Sequence, residues 1–197
     1  VKTAFQPRFE YEDALRLTEE LGVPMTVVEA DILAAPGVAE NGPERCYFCK
    51  RELFTRLREA ARADGYTLLL DGTNASDDAG DRPGMRALEE LEVRSPLREC
   101  GLTKEEVRRR SREAGLFTWN KPAYACLATR IPTGTPIARR DLERVEAAES
   151  ALTGLGFSDF RVRLFHGAAR IQITEEQVSR ALELRPQLLA ACGREFD

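Results

Sequence analysis

The chain has 197 residues, of which 43% are hydrophobic and 31% charged, with 29 basic against 33 acidic side chains and a formal net charge of −4. That length buries a real core, as one domain or as one domain with a small appendage. No apolar run approaches the roughly 18 residues needed to span a bilayer, so the sequence reads as non-membrane and, with no export signal, as cytoplasmic. The near-balance of charge argues against a nucleic-acid binder, which carries a basic excess. Five cysteines in such a chain point to metal binding or catalysis before disulfides, because the cytosol keeps thiols reduced.

Val1–Phe5 reads as a strand that is already under way at Val1, which creates the expectation of a preceding segment. Glu10–Leu21 follows as a helix with Ala14, Leu17 and Leu21 on one face, stopped by Gly22. Pro24 leads into a second strand, Met25–Glu29. A loop rich in Pro and Gly, Ala34–Pro43, delivers Cys46, and Cys49–Asp64 is helical with Leu53, Leu57 and Ala60 as its buried stripe. Thr67–Asp71 is a short apolar strand, Arg86–Leu91 a short helix and Val93–Ser95 a short strand. Thr103-Lys104-Glu105-Glu106 is a capping box that opens a helix to Ala114. Within that helix, Arg108-Arg109-Arg110 reads as a solvated face more readily than as a phosphate site.

This strand–helix alternation predicts an α/β class with a parallel sheet covered on both faces, whose ligands bind beyond the carboxyl ends of the strands. Residues 116–137 break the alternation with Pro122, Pro132, Gly134 and Pro136, and loops of that length in compact domains are usually functional. Beyond it come a helix, Asp141–Leu155, two strands, Arg161–Phe165 and Ala169–Thr174, joined at His166-Gly167, and a second capping box, Thr174–Gln177, for a final helix. The chain therefore divides into a first domain, 1–137, and a small α+β domain, 138–197.

The chemistry concentrates in a few places. Cys46-Tyr47-Phe48-Cys49 puts two thiols on one face at a helix start, where the helix terminus and the nearby Arg45 and Lys50 favour the thiolate. Two small buried residues at a helix start are the plainer alternative. Cys126 lies in the irregular stretch beside Thr129 and Arg130, groups suited to phosphate, although an inert buried thiol fits it equally. Three cysteines do not complete a four-thiolate shell; Cys100 is a candidate fourth, and Cys192 reads as a packing residue. The loop from Asp71, Gly72, Thr73 and Asn74 to Asp78, continuing through Gly80-Asp81-Arg82-Pro83-Gly84, is either a nucleotide or Mg2+ site or an Asx-rich turn. Arg161 and Arg163 share a strand face and are able to clamp a phosphate, with a solvated face as the simpler reading. His166, the sole histidine, reads as a turn residue.

Taken in order, Arg-Cys-Tyr-Phe-Cys-Lys (45–50), Asp-Gly-Thr-Asn (71–74), Asp-Arg-Pro-Gly (81–84), Arg-Ser-Pro-Leu (94–97), Lys-Pro-Ala-Tyr-Ala-Cys-Leu-Ala-Thr-Arg (121–130) and Ile-Pro-Thr-Gly-Thr (131–135) resemble the LarE family. These are ATP-dependent sulfurtransferases that build the nickel-pincer nucleotide cofactor of lactate racemase. The resemblance covers nearly the whole chain. It implies an adenine nucleotide alpha hydrolase-like fold, adenylation of a carboxylate of pyridinium-3,5-biscarboxylic acid mononucleotide with release of pyrophosphate, and conversion to a thiocarboxylate. It further implies ATP and Mg2+ as cofactors, self-association into a homo-oligomer, and nucleotide contacts from Asp71–Asn74, Arg82, Arg130, Arg161 and Arg163. Some members sacrifice the sulfur of the cysteine matching Cys126. Others hold a [4Fe–4S] cluster on cysteines matching Cys46, Cys49 and Cys126, with an exchangeable sulfide, and the presence of all three favours that version.

Two features depart from the family pattern. Its Ser-Gly-Gly-x-Asp-Ser nucleotide loop belongs before the position of Val1, so residues 1–197 alone are expected not to adenylate. The hairpin also reads Ala169-Arg170-Ile171-Gln172 where Ala-Arg-Ile-Glu is expected. The competing readings are a tRNA thiolation enzyme, which the acidic net charge disfavours, and a non-catalytic iron–sulfur or zinc module.

Overall fold

A computed structural model describes residues 1–77 and 83–196. The described elements are α1 (Arg8–Leu21), α2 (Arg45–Ala63), α3 (Pro83–Glu90), α4 (Pro96–Glu99), α5 (Lys104–Glu113), α6 (Arg139–Gly154), β1 (Arg161–Phe165), β2 (Ala168–Gln172), α7 (Val178–Glu183) and α8 (Arg185–Cys192). Single 3-10 turns lie at Ile32–Ala34, Phe117–Asn120, Leu127–Arg130 and Glu175–Gln177. Among the described residues, no helix is long and apolar enough to cross a membrane.

The mixed helix-and-strand class is observed, but the expected parallel sheet is reduced to two isolated parallel bridges, Lys2 with Glu29 and Leu70 with Arg94. Both bridges lie within segments read as early strands, and each is flanked by backbone hydrogen bonds: Lys2 N to Val28 O, Ala30 N to Lys2 O, Arg94 N to Leu69 O and Asp71 N to Arg94 O. What is missing is cover. Val23, Met25 and Val27, like Tyr66, Leu68 and Leu70, alternate along their segments as buried strand residues do, yet all six remain exposed. A strand pair with one face bare and, among the described residues, no further neighbours has little to extend its ladder.

The β1–β2 hairpin is antiparallel, with Val162 opposite Ile171 and Arg163 opposite Arg170. It turns at His166 and Gly167, whose φ angles of 51° and 85° are the paired left-handed conformations that a tight hairpin turn requires. His166 is the turn residue expected of it. Helix starts are also largely as the residues dictate. Thr103 caps α5 with a complete capping box to Glu106. The second expected box does not form: Thr174 makes no side-chain cap. Its partner Gln177 instead ties the loop at Ser158, accepting from Ser158 N at 2.9 Å and donating to Ser158 O at 2.6 Å. The final helix is also interrupted, with α7 ending at Glu183 and α8 restarting at Arg185 with Pro186 in its first turn.

One hydrophobic cluster organises the molecule. It takes Phe5, Ile32 and Val38 from the beginning, Leu127, Ile131 and Ile137 from the irregular stretch, and Phe157, Val162, Leu188 and Phe196 from the end. It thus draws on both sides of residue 138. Helix α6 crosses its middle and buries Leu142, Val145, Ala148, Glu149 and Leu152 at helical spacing. Glu149 is a carboxylate on an apolar stripe, and its partner is Arg130, 1% exposed. Arg130 donates from Nε to one Glu149 oxygen at 2.8 Å and from a terminal nitrogen to the other at 3.2 Å. Tyr124 Oη and Val162 N also donate to that carboxylate. Burial and this neighbour push the Tyr124 phenol upward, so it stays a donor.

Two stability outcomes follow. Glu149→Ala should cost about 3–5 kcal/mol, because it strands a buried guanidinium, whereas Arg130→Met with Glu149→Leu should cost clearly less than either single change. Urea unfolding of the two single variants and the double variant measures this. By the same method, Thr103→Ala should cost about 1 kcal/mol through loss of the cap. Thr174→Ala loses no cap, only the 3.1 Å bond that its hydroxyl accepts from Gln177 Nε2, and should cost clearly less than Thr103→Ala.

Candidate functional site

Helix α2 begins at Arg45, so Cys46 lies in its first turn and Cys49 one turn on. The segment before it is shaped to present that turn. Gly37 has φ 80° and sits so close to the Phe48 ring that a Cβ there would meet it at 2.5 Å. Any side chain at 37 would push Phe48, and with it the face carrying Cys49, out of place. From the other side, Gly84 of α3 packs on Lys50, a Cβ there falling 2.9 Å from Lys50 Cδ. Tyr47 donates to Glu90 at 2.7 Å, and Arg86 stacks over the Tyr47 ring at 3.9 Å.

Cys126 reaches this turn from the irregular stretch. It is the residue before the 3-10 turn Leu127–Arg130, whose Leu127 N donates to Phe5 O at 2.9 Å. The thiols of Cys46, Cys49 and Cys126 lie within electrostatic range of one another. Burial pushes Cys49 up to about 12, and the charges of Cys126 and Cys46 add to the rise, against Arg45 and Lys50. Cys126 is exposed as a residue, yet enough protein surrounds its thiol to raise it too; Arg45 is the largest opposing influence. Cys49 and Cys126 are therefore held in the neutral form more firmly than in water, and cationic side chains partly offset this.

Among the described residues, no group of three or more His, Cys, Asp or Glu side chains is placed to hold a single metal ion. The three thiols do not converge on one point. A cubane differs from a lone ion in this respect, since its irons occupy separate corners and its ligands need only face a common volume. Three soft sulfur donors on two segments, with Arg45 and Lys50 to balance negative charge, fit such a group in donor chemistry. Cys100 is exposed at the C-terminal end of α4, and Cys192 is buried in the core as expected of a packing residue.

The other predicted contacts are distributed unevenly. Asp71 accepts from Thr73 N, Thr73 Oγ1 and Ser95 Oγ, the last at 2.6 Å. Asn74 caps Ser76 N, and Arg98 holds Asp77 O at 2.9 Å. The loop is thus internally bonded and pinned to α4, and space beside Gly72 is open. Arg82 lies outside the described residues. Arg130 turns inward, with four N–H groups directed at Glu149, Ala125 O and Thr129 Oγ1. Its donors serve the core, not an external phosphate.

Arg161 and Arg163 share a face, as their alternation requires, and that face is turned to the Cys126 stretch. Arg161 donates to Ala123 O at 2.5 Å and to Phe160 O at 2.6 Å. Arg163 donates to Thr129 O at 2.5 Å and to Gln172 Oε1 at 2.6 Å. Gln172, the departure noted above, therefore orients Arg163. Beside them is a cavity of about 390 Å³ lined by Phe9, Pro122, Tyr124, Phe157 and Arg161, among others.

Sequence reasoning overlooked Asn41 and Glu149. Asn41 is fully buried, has φ 55°, and donates to Pro132 O and Thr135 O, both at 2.9 Å. The Asn41-Gly42 dipeptide was the available signal, since such pairs adopt left-handed turns. For Glu149 the signal was a carboxylate at a buried helical position.

No protein-family model matches the chain. It is 40% identical over 174 residues to an uncharacterised protein of Synechocystis sp., covering 88% of this chain and 65% of that one. It is 35% identical over 169 residues to the pyridinium-3,5-bisthiocarboxylic acid mononucleotide synthase of Lactiplantibacillus plantarum, covering 86% and 61% respectively. An uncharacterised protein of Methanocaldococcus jannaschii is 28% identical over 189 residues, 96% of this chain and 72% of its own. The chain thus spans somewhat under two thirds of the length of the first two relatives. Aligned across most of its length with that synthase, and carrying the Arg-Cys-Tyr-Phe-Cys-Lys and Tyr-Ala-Cys-Leu-Ala-Thr-Arg segments side by side in space, the chain belongs to the LarE family.

Proposed function

We propose that this protein takes part in ATP-dependent sulfur transfer to pyridinium-3,5-biscarboxylic acid mononucleotide, with Cys46, Cys49 and Cys126 as its sulfur-handling centre. The observation that carries this reading is the meeting of Cys126 with the Cys46–Cys49 turn, which two distant stretches of sequence have to cooperate to produce. The bisthiocarboxylate named for the Lactiplantibacillus relative calls for such chemistry, because a carboxylate oxygen is a poor leaving group until it is capped. In the proposed reaction the substrate carboxylate attacks the α-phosphorus of Mg2+-bound ATP and pyrophosphate leaves. A sulfur nucleophile then adds to the acyl carbon, AMP leaves, and a thiocarboxylate remains.

A [4Fe–4S] cluster on the three cysteines would supply an exchangeable sulfide at an iron lacking a protein ligand. The chain's own residues would bind it as thiolates, so loading requires Cys49 and Cys126 to give up protons that burial makes them keep. Arg45 and Lys50 ease that loss. The Asp71–Asn74 loop, with open space beside Gly72, is the proposed nucleotide-facing surface. Arg161 and Arg163 would present positive charge to the substrate phosphate. The reading also includes a cytoplasmic homo-oligomer.

Thiol reactivity checks the site without any ligand. In the reduced, metal-free protein, Cys46 should be alkylated well before Cys49, because Cys46 is exposed and Cys49 is half-buried. The thiolate fraction of a thiol at about 12 grows about tenfold per pH unit throughout the range below that value. Cys49 alkylation should therefore keep accelerating from about pH 7 to about pH 10 without a plateau. Peptide mass spectrometry of iodoacetamide-treated samples follows both, and an early plateau for Cys49 would contradict the buried assignment.

The function itself is tested on a chain that also carries the family's nucleotide loop, without which adenylation is not expected, by anaerobic reconstitution followed by assay of thiocarboxylate formation from ATP and the pyridinium biscarboxylate. Iron should reach about four per chain. Cys46→Ala, Cys49→Ala and Cys126→Ala should each lose iron and product together, while Cys100→Ala keeps both. Full turnover in Cys46→Ala with loss only in Cys126→Ala would instead indicate sacrifice of the Cys126 sulfur. Product formation unaffected by Cys126→Ala would reject the proposed centre.

A further inference from the structure

Arg45 occupies the junction between the two segments that carry the thiols. Its guanidinium lies at the first turn of α2, and a single terminal nitrogen donates both to Asn41 Oδ1 at 2.6 Å and to Ala128 O at 2.9 Å. The other terminal nitrogen lies 3.6 Å from Cys46 Sγ. Asn41 in turn is tied through its amide nitrogen to Pro132 O and Thr135 O, and its backbone oxygen accepts from Gly134 N at 2.8 Å. Ala128 is two residues past Cys126, and residues 132–135 lie just beyond. Arg45 and Asn41 therefore make one continuous bridge from the base of the Cys46–Cys49 turn to the turn that follows Cys126 and the residues just beyond it.

The physical reason for an arginine here is its fork. A lysine ammonium brings equal charge but, as a compact group on a flexible stem, does not hold two acceptors and a sulfur in fixed directions. The acceptors are also placed so that the bridge is short and desolvated. Asn41 is 0% exposed and Ala128 is 0% exposed, which makes the hydrogen bonds to a charged donor strong. Among the described residues no sheet joins the two segments; the backbone bond of Ile137 N to Ala39 O and the packing of Phe48 and Cys49 on the shared core hold them from below, and Arg45 is the side chain that links Cys46 itself to the Cys126 turn.

The geometry points to Arg45, braced by Asn41, as the positioning residue that sets the distance between Cys126 and the Cys46–Cys49 turn. This inference rests on the reading of the three thiols as one centre, but concerns their spacing and not their reaction. Arg45 is a positioning residue and touches no proposed substrate.

The test uses the whole protein, reduced and metal-free, with Cys100 and Cys192 replaced by Ser so that three thiols remain. Dibromobimane, a bifunctional alkylating agent, joins pairs of neighbouring thiols, and mass spectrometry of peptides separates the Cys46–Cys126 product from the Cys46–Cys49 product. The ratio of the two is the readout, because the second pair sits within one helical turn and reports reagent and reduction equally. Arg45→Gln and Asn41→Ala should each lower that ratio about tenfold, the scale of losing one or two hydrogen bonds to a charged group. Arg45→Lys should fail to restore it.

Circular dichroism and cooperative melting are recorded for every variant. An unchanged ratio in Arg45→Gln, or full restoration by Arg45→Lys, overturns the inference; the second result would mean that charge alone suffices. Loss of cooperative folding in Arg45→Gln also counts against it, since the bridge would then hold the fold and not the thiols. Asn41 is deeply buried, so the partly exposed Arg45 is the decisive position should Asn41→Ala unfold. Failure of the sulfur-transfer assay with an altered ratio would reject the proposed function while leaving this inference intact.

Discussion

The site depends on guanidinium groups holding backbone carbonyls. Residues 121–130 form an irregular stretch with few of the hydrogen bonds that helices and sheets supply, and buried carbonyls still need donors. Four arginines from three other elements provide them. Arg108 of α5 donates to Lys121 O at 2.6 Å, Arg161 of β1 to Ala123 O, Arg45 of α2 to Ala128 O, and Arg163 of β1 to Thr129 O. Arg130 adds a contact from within the stretch, to Ala125 O at 3.3 Å. Proline at 122, 132 and 136 removes backbone donors that might otherwise close the segment on itself. A side chain with a long stem and several fixed donors is the natural substitute.

Such an arrangement couples distant parts of the chain to a single cysteine. Moving α2, β1 or α5 moves a carbonyl within a few residues of Cys126. The core supplies the anchor beneath, because Leu127 and Ala128 are buried in the main hydrophobic cluster and Arg130 is pinned to Glu149. Burial of that ion pair is expensive in itself, and its contribution is less to net stability than to fixing one arrangement of loop, α6 and β1. Tyr124 and Val162 complete the acceptor side of Glu149, so no oxygen of the carboxylate is left without a donor.

Much of this was legible in the residues. Helix α6 buries its apolar positions, the Thr103–Glu106 box forms, and the hairpin turns at His166-Gly167 as its residue types demand, whereas the stripe expected on α2 (Leu53, Leu57, Ala60) is only half-buried and Leu21 of α1 is exposed. The two parallel bridges lie within segments whose apolar runs read as strands. What the sequence did not convey is whether those pairings lengthen into a sheet, because that depends on which surfaces cover Met25, Val27, Leu68 and Leu70, not on the local pattern. Nor did it convey the use of the arginines. Arg130, Arg161 and Arg163 carry chemistry that suits phosphate and peptide carbonyls alike, and only tertiary placement shows that all three contact the Cys126 stretch. Thr174 shows the same limit from the other side: a correct capping pattern was overridden when Gln177 found Ser158.

The choice of neutral partners for these arginines has an electrostatic consequence. Arg130 meets a carboxylate, and its charge is cancelled inside the core. Among the described residues, the contacts of Arg45 are an amide, a carbonyl and a sulfur, and those of Arg163 are a carbonyl and the amide of Gln172. A carbonyl or amide oxygen satisfies an N–H without neutralising the cation, so Arg45 and Arg163 keep their charge facing the Cys126 turn. Glutamate at 172 would orient Arg163 equally well but would cancel it. Glutamine therefore gives the orientation and preserves the field. Burial raises the Cys49 and Cys126 thiols, and Arg45 opposes that rise at both, joined by Lys50 at Cys49. Burial alone would leave these cysteines inert, and charge alone would leave them exposed to indiscriminate reaction. Held between the two, both thiols are shifted toward the neutral form while a cation stands beside them.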